Sequence, residues 1–177
     1  VKPPRKVEVV PYLEDWPERF AKEAAILIEA LATDDTVFHH IGSTSVPGLS
    51  AKPIIDILAE AGSFDHFDKA VDKLRLAGYE PRGENGIPGR RYFIKYDEDG
   101  ERLVHLHAFE KGSLQIRRHL VFRDYLRVHP ERAAIYGNVK ETGAGLFPSD
   151  ISSYIAYKEK TVLEIEKEAF VWAGIRE

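Results

Sequence analysis

Apolar and polar residues recur along this chain with two different periods, and the change from one to the other marks out its elements. Between Pro17 and Ala32, the residues Phe20, Ala24, Leu27, Ile28 and Leu31 fall at helical spacing. That spacing predicts a helix with one buried face, and Pro17 suits its first turn. Thr36 to Ile41 reads as a strand entering a loop of small residues, Gly42-Ser-Thr-Ser-Val-Pro-Gly-Leu-Ser-Ala-Lys52. Pro53 to Ala59 is a mostly apolar run carrying one acid, Asp56, the pattern of a central strand covered on both faces. Upstream, Val7 to Val10 is a short β-branched run.

Ser63 to Ala77 predicts a single helix closed by Gly78, and the stretch Tyr79 to Arg90, rich in glycine and proline, predicts an irregular loop. Arg91 to Tyr96 and Arg102 to Glu110 read as antiparallel strands joined at Asp97-Glu-Asp-Gly100, where Asp-Gly is the turn signal. From Leu114 the period becomes helical, predicting helices over Leu114 to His129, from Pro130 onward, and over Ser149 to Ala173. Strands followed by three helices predict an α+β fold, a mixed β-sheet with flanking helices and an all-α final third. The expected organisation is one domain over 1–177.

Composition narrows the function classes. With 177 residues, 44% apolar and 31% charged, the chain has the make-up of a globular domain able to bury a real core. It has no cysteine, which excludes disulfides, thiolate metal sites and a thiol nucleophile. No apolar stretch approaches the roughly 20 residues that cross a bilayer, and no signal-peptide run follows the charged start, so the expectation is a cytoplasmic protein without membrane contact. A net charge of −4 argues against coating nucleic acid and favours a small-molecule ligand. Oligomeric state is not encoded in any pattern found.

The candidate chemistry centres on Gly42-Ser43 at the end of a strand, with Asp56 on the next. Such a loop brings backbone N–H groups and a hydroxyl close to a phosphate. The pattern Gly-x-Ser-x-Gly is absent, which argues against a serine hydrolase, and Lys52 is too far from Gly48 for a P-loop. His105 and His107 alternate onto one face of their strand, where they either contact a metal or substrate or bond to neighbouring backbone or carboxylates. Arg91 and Lys95 lie on the preceding strand; Arg123 and Arg127 share a helical face, so phosphate contact and surface ion pairing are both open. His39 and His40 point to opposite faces. Tyr154, Tyr157 and Trp172 read as packing.

The stretch from His40 to Ile57 closely resembles the signature of the GrpB family (UPF0157 type), a branch of the nucleotidyltransferase superfamily. The likeness extends through Pro11-Tyr-x-x-x-Trp16, His105-Leu-His107, Phe122-Arg-Asp-Tyr-Leu-Arg127, Lys140 and Tyr154-x-x-x-Lys158. It implies a nucleotidyltransferase-like fold and a metal-dependent protein that binds a nucleoside triphosphate. Gly42, Ser43, Thr44, Ser45, Lys52, Arg91, Arg123 and Arg127 would contact that ligand. Asp56 would be the catalytic carboxylate, and Asp56, His105 and His107 would hold a divalent ion, Mg²⁺ or Mn²⁺, or Zn²⁺ if the imidazoles bind. The superfamily pairs its carboxylates, yet Ile54 and Leu58 stand where a second acid would share the face of Asp56; His39 replaces a familial acid. The alternative is therefore a non-catalytic nucleotide or phosphometabolite binder that has lost the second metal carboxylate. A scaffold role is a third reading, since a similar domain is sometimes fused to a coenzyme A biosynthetic kinase.

Overall fold

Strand alternation and helix spacing sort the apolar residues onto two faces of one sheet in the computed structural model, which describes residues 6–175. The strands are β1 (Thr36–Ile41), β2 (Ile55–Ala61), β3 (Tyr79–Pro81), β4 (Arg90–Tyr96) and β5 (Arg102–Glu110), in the order β1-β2-β5-β4-β3. The β2–β5 pair is parallel and the others are antiparallel, giving a mixed sheet. Helices α1 (Trp16–Leu31), α2 (Asp65–Lys69) and α3 (Val71–Leu76) precede β3; α4 (Leu114–Val128), α5 (Pro130–Leu146) and α6 (Ile151–Trp172) form the last third. The architecture is the α+β arrangement that the pattern predicts.

One face of the sheet carries Ile55, Ile57, Val104, Leu106 and Phe93 against Trp16, Leu27 and Leu31 of α1, Phe67 of α2 and Leu74 of α3. On the opposite face, Ile41, Leu58 and Phe109 meet Ile116 of α4, while α4, α5 and α6 close a second core around Val46 and Leu49. Because side chains alternate, Asp56, His105 and His107 fall on the α4–α6 face and Ile55, Ile57, Val104 and Leu106 on the other. Topology thus decides which helices can complete a site at Asp56.

Several elements differ from the sequence pattern. The expected helix over Ser63 to Ala77 is two short helices, because Ala70 shares its N–H between the His66 and Phe67 carbonyls in a tight turn. Within the expected loop from Tyr79 to Arg90, residues Tyr79 to Pro81 pair with β4 as an edge strand, a position that tolerates Pro81. The central strand begins at Ile55, two residues beyond Pro53. In the N-terminal run only Val10 pairs, through a single bridge to Ala51. Ile28 lies on the exposed side of α1.

Gly42 joins β1 to a 3-10 turn (Ser43–Ser45) with φ +71° and ψ −173°, a conformation open essentially to glycine alone. A methyl group there would also lie 2.7 Å from Asp56 Oδ2. Gly42→Ala is expected to lower unfolding free energy by about 1–3 kcal/mol through backbone strain alone; a change under ~0.5 kcal/mol in urea denaturation would show that the turn relaxes freely. Leu106→Ala, in the fully buried centre of β5, should cost about 2–5 kcal/mol in the same measurement.

Candidate active site

The site is built where β1, β2 and β5 meet the helical third. A cavity of about 220 Å³ opens there, lined by Gly42 and Ser43 of the turn, Lys52, Asp56, His105, Phe122, Tyr136, Lys140, Tyr154 and Lys158, among others. The turn is held from both sides. On the α1 side, His40 Nε2 and Thr44 Oγ1 are 2.9 Å apart and the imidazole stacks on Phe20. Burial pushes His40 down to about 4, and the Arg127 and Arg123 charges push the same way against the pull of Asp56, so the ring is neutral near pH 7. From α4, Arg123 Nη1 donates to the His40 carbonyl at 3.1 Å and Arg127 Nε to the Ser45 carbonyl at 2.9 Å.

Those bonds revise several expected roles. Arg123 and Arg127 spend donors on the turn's backbone, and Arg123 also pairs with Asp124. Thr44 and Ser45 are buried, Thr44 Oγ1 meeting His40 of β1 and Ser45 Oγ donating to the Gly42 carbonyl, and Thr44 also lines the cavity. Ser43 and Gly42 line the cavity. Arg91 lies away from the cavity: it sits on the α1–α3 face of β4, stacked on Phe64 and paired with Asp68, because only every second residue of β4 faces the site. Lys95, on the same face as Arg91, is paired with Glu23. His39 bonds to Glu60.

Both histidines converge on one oxygen of Asp56: His107 Nε2 is hydrogen-bonded to Oδ1 at 3.2 Å, and His105 Nδ1 lies 3.3 Å from the same atom. Burial alone would raise its carboxyl, but the contacts from His105 and His107 outweigh burial and hold it well below the usual carboxylate range. Beyond the histidines stand two arginines: Arg90 Nη1 is 3.2 Å from His107 Nδ1, and Arg102 Nη1 is 3.4 Å from His105 Nε2. Arg90, one residue from the expected Arg91, is buried on the site face, stacked on Tyr92, and also donates to the Glu84 and Asn85 carbonyls.

Asp56, His105 and His107 lie close enough together to hold a divalent ion, their ligand atoms all within 4.8 Å. Proton placement opposes it. A metal-binding imidazole presents a lone pair inward and donates its outer N–H to an acceptor. Here each outer nitrogen faces a guanidinium, which only donates, so as arranged the imidazoles do not fit as ligands. Leu58, two residues along β2 on the same face as Asp56, is fully buried.

The cationic wall opposite Asp56 comes from two helices. Tyr136 and Lys140 on α5, and Tyr154 and Lys158 on α6, are each spaced i, i+4, so each helix turns a tyrosine and a lysine toward the cavity. Lys140 is 3% exposed, its Nζ lies 4.4 Å from the Tyr136 ring centroid, and that nitrogen has no hydrogen-bond partner among the described residues. Lys52 and Lys158 both lie over the Tyr154 ring. Tyr154 therefore does more than pack. The repeated Tyr-x-x-x-Lys spacing was the available signal for this wall; nothing in the pattern distinguished Arg90 from Arg91.

No helix among the described residues is long and apolar enough to cross a membrane. A family model described as GrpB protein matches residues 6–168. The UPF0157 protein YqkA of Bacillus subtilis (strain 168) is 42% identical over 170 residues, covering 96% of this chain but 49% of that protein, so the chain spans about half that relative's length. The crystal structure of conserved protein GrpB from Enterococcus faecalis superposes with a TM-score of 0.88 at 38% identity, over 94% of this chain and 99% of that one. The Cid1 poly(U) polymerase, in its Mg 3'-dATP bound structure, superposes with a TM-score of 0.55 at 13% identity, over 83% of this chain and 49% of its own. That distant likeness shows a shared fold. The match across residues 6–168, together with these relatives, places the chain in the GrpB family, built on a nucleotidyltransferase-like fold.

Proposed function

We propose that this protein binds a nucleoside triphosphate or a related phosphorylated small molecule, with the phosphate chain between the Gly42-Ser43 turn and the ammonium groups of Lys52, Lys140 and Lys158. The observation that carries this reading is Lys140. A buried amine without a hydrogen-bond partner among the described residues is costly, and an anion entering the cavity supplies that partner and favours the protonated form. The Ser43 hydroxyl and the turn's N–H groups suit the same oxygens. A neighbouring groove of about 290 Å³, sharing Lys52 and Ile54 with the cavity and also lined by Glu101 and Arg102, gives room for the rest of the ligand.

Nucleotidyl transfer is the second reading, and Asp56 favours it: its Oδ2 faces Gly42 at the edge of the phosphate position. In that reaction an acceptor hydroxyl attacks the α-phosphorus in line, and the lysines stabilise charge on the departing phosphates. The apolar neighbours of Asp56 on its strand and the commitment of both imidazoles to Oδ1 support binding as the principal reading. Thermal stabilisation by a panel of nucleoside triphosphates, with and without divalent ions, tests it. Ser43→Ala should weaken binding by about 1.5–3 kcal/mol if its hydroxyl meets a phosphate. Product formation from a stabilising nucleotide would establish transfer, whereas no stabilisation by any phosphorylated ligand would overturn both readings.

Burial pushes the Lys140 amine down to about 6, aided by the charges of Lys158 and Lys52 and opposed by Glu141 and Asp56. Between that value and the ordinary lysine range the unfolded chain carries a proton that the folded one lacks, so the stability contributed by this position rises with pH across that window. Phosphate binding favours the ammonium form, so affinity should increase as pH falls from about 8 to 6. Lys140→Met should abolish that pH dependence and the binding, yet raise stability at neutral pH by about 1–3 kcal/mol, the cost of a buried polar group left without a partner. Isothermal titration and urea denaturation at several pH values read the two effects separately.

A further inference from the structure

We propose that His105 and His107 are positioning residues that turn an N–H toward Oδ1 of Asp56, and that Arg90 and Arg102 hold them in this role and keep them from acting as metal ligands. The inference is independent of the ligand's identity. A guanidinium has no acceptor atom. His107 Nδ1, 3.2 Å from Arg90 Nη1, therefore presents its lone pair outward, and the ring proton sits on Nε2, 3.2 Å from Asp56 Oδ1. By the same reasoning His105 Nε2 accepts from Arg102 and Nδ1 carries the proton toward Asp56. The two rings thus hold opposite tautomers, each with its N–H turned toward Oδ1.

Arg90 is the stronger lock. Its other donors are committed to the Glu84 and Asn85 carbonyls at 3.0 and 2.8 Å and its plane lies on Tyr92, so the guanidinium is fixed from three directions. For a metal to bind both imidazoles, each ring would have to move its proton outward and set an N–H against an arginine N–H. The usual arrangement behind a metal-bound histidine, an acceptor that orients the ring, is here reversed in polarity. Oδ2, beside Gly42, is the oxygen left for the cavity. A divalent ion reaching it is one carried on a ligand's phosphates, since the protein alone supplies a single carboxylate oxygen.

The test is long-range ¹H–¹⁵N correlation NMR on the ¹⁵N-labelled protein, titrated with Zn²⁺ alone. In the wild type at pH 7.5 the expected spectrum shows His105 protonated on Nδ1 and His107 on Nε2, neither shifting with one equivalent of Zn²⁺. Arg90→Gln/Arg102→Gln, which places a carbonyl acceptor behind each ring, should raise Zn²⁺ affinity at Asp56 at least tenfold, with metal-induced shifts confined to these imidazoles. Arg90→Lys/Arg102→Lys keeps donor-only partners and should leave affinity as in the wild type. Metal-coordinated imidazole shifts in the wild type, or both inner nitrogens lacking protons, would overturn the proposal without requiring any variant to fold.

Discussion

Everything at this site depends on one close approach, the Asp56 carboxylate lying against the backbone of Gly42. Two strands must meet there with no side chain between them, which the register of Ile41 opposite Asp56 supplies and the glycine permits. One carboxylate oxygen turns toward the histidines of β5 and the other toward the turn. The acid is thereby fixed in orientation before any ligand arrives, at the cost of burying charge, and the hydrogen bonds from β5 offset that cost.

The same turn explains why the helical third is coupled so closely to the sheet. Arg123 and Arg127 sit one helical turn apart and reach the carbonyls of His40 and Ser45, one at each end of the Gly42-Ser43 segment. They act as clamps on backbone groups that a short 3-10 turn cannot satisfy by itself. Burial keeps the His40 ring neutral beneath the turn while it is bonded to Thr44, and the charges of the two arginines add to that effect. Both arginines thus shape the surface that the turn presents to the cavity.

The fold was largely legible in the chain because long periodic segments carry their own signal: α1, the β4–β5 hairpin and the three final helices stand within a few residues of where the pattern puts them. The misses were short elements decided by tertiary context. Ala70 is an ordinary helix former, so nothing local announces the break between α2 and α3; Tyr79 to Pro81 became a strand only because β4 offered an edge. At the site, Gly42, Ser43, Asp56 and the His105–His107 pair were legible from alternation and loop chemistry. Arg90 was not, since Arg-Arg in a strand does not reveal which residue faces inward until the register is known. Lys140 was legible as a motif residue but its burial was not: that follows from how α5 lies against α6 and from the closeness of Gly143 to Tyr154 and Tyr157, a matter of helix contact rather than helix propensity.

The division of labour between the two halves of the chain carries a practical consequence. The acid and its histidines belong to the sheet, which ends at Glu110, while Lys140 and Lys158 belong to helices that begin only after the short link at Lys111 to Ser113. A cut in that link would part the negative pole of the pocket from two of its lysines and would take from the turn both arginines that clamp it. Neither fragment would retain a usable cavity. The C-terminal helices are thus not an appendage to the sheet but half of the pocket itself, and any attempt to trim, transplant or fuse this unit has to carry both halves together.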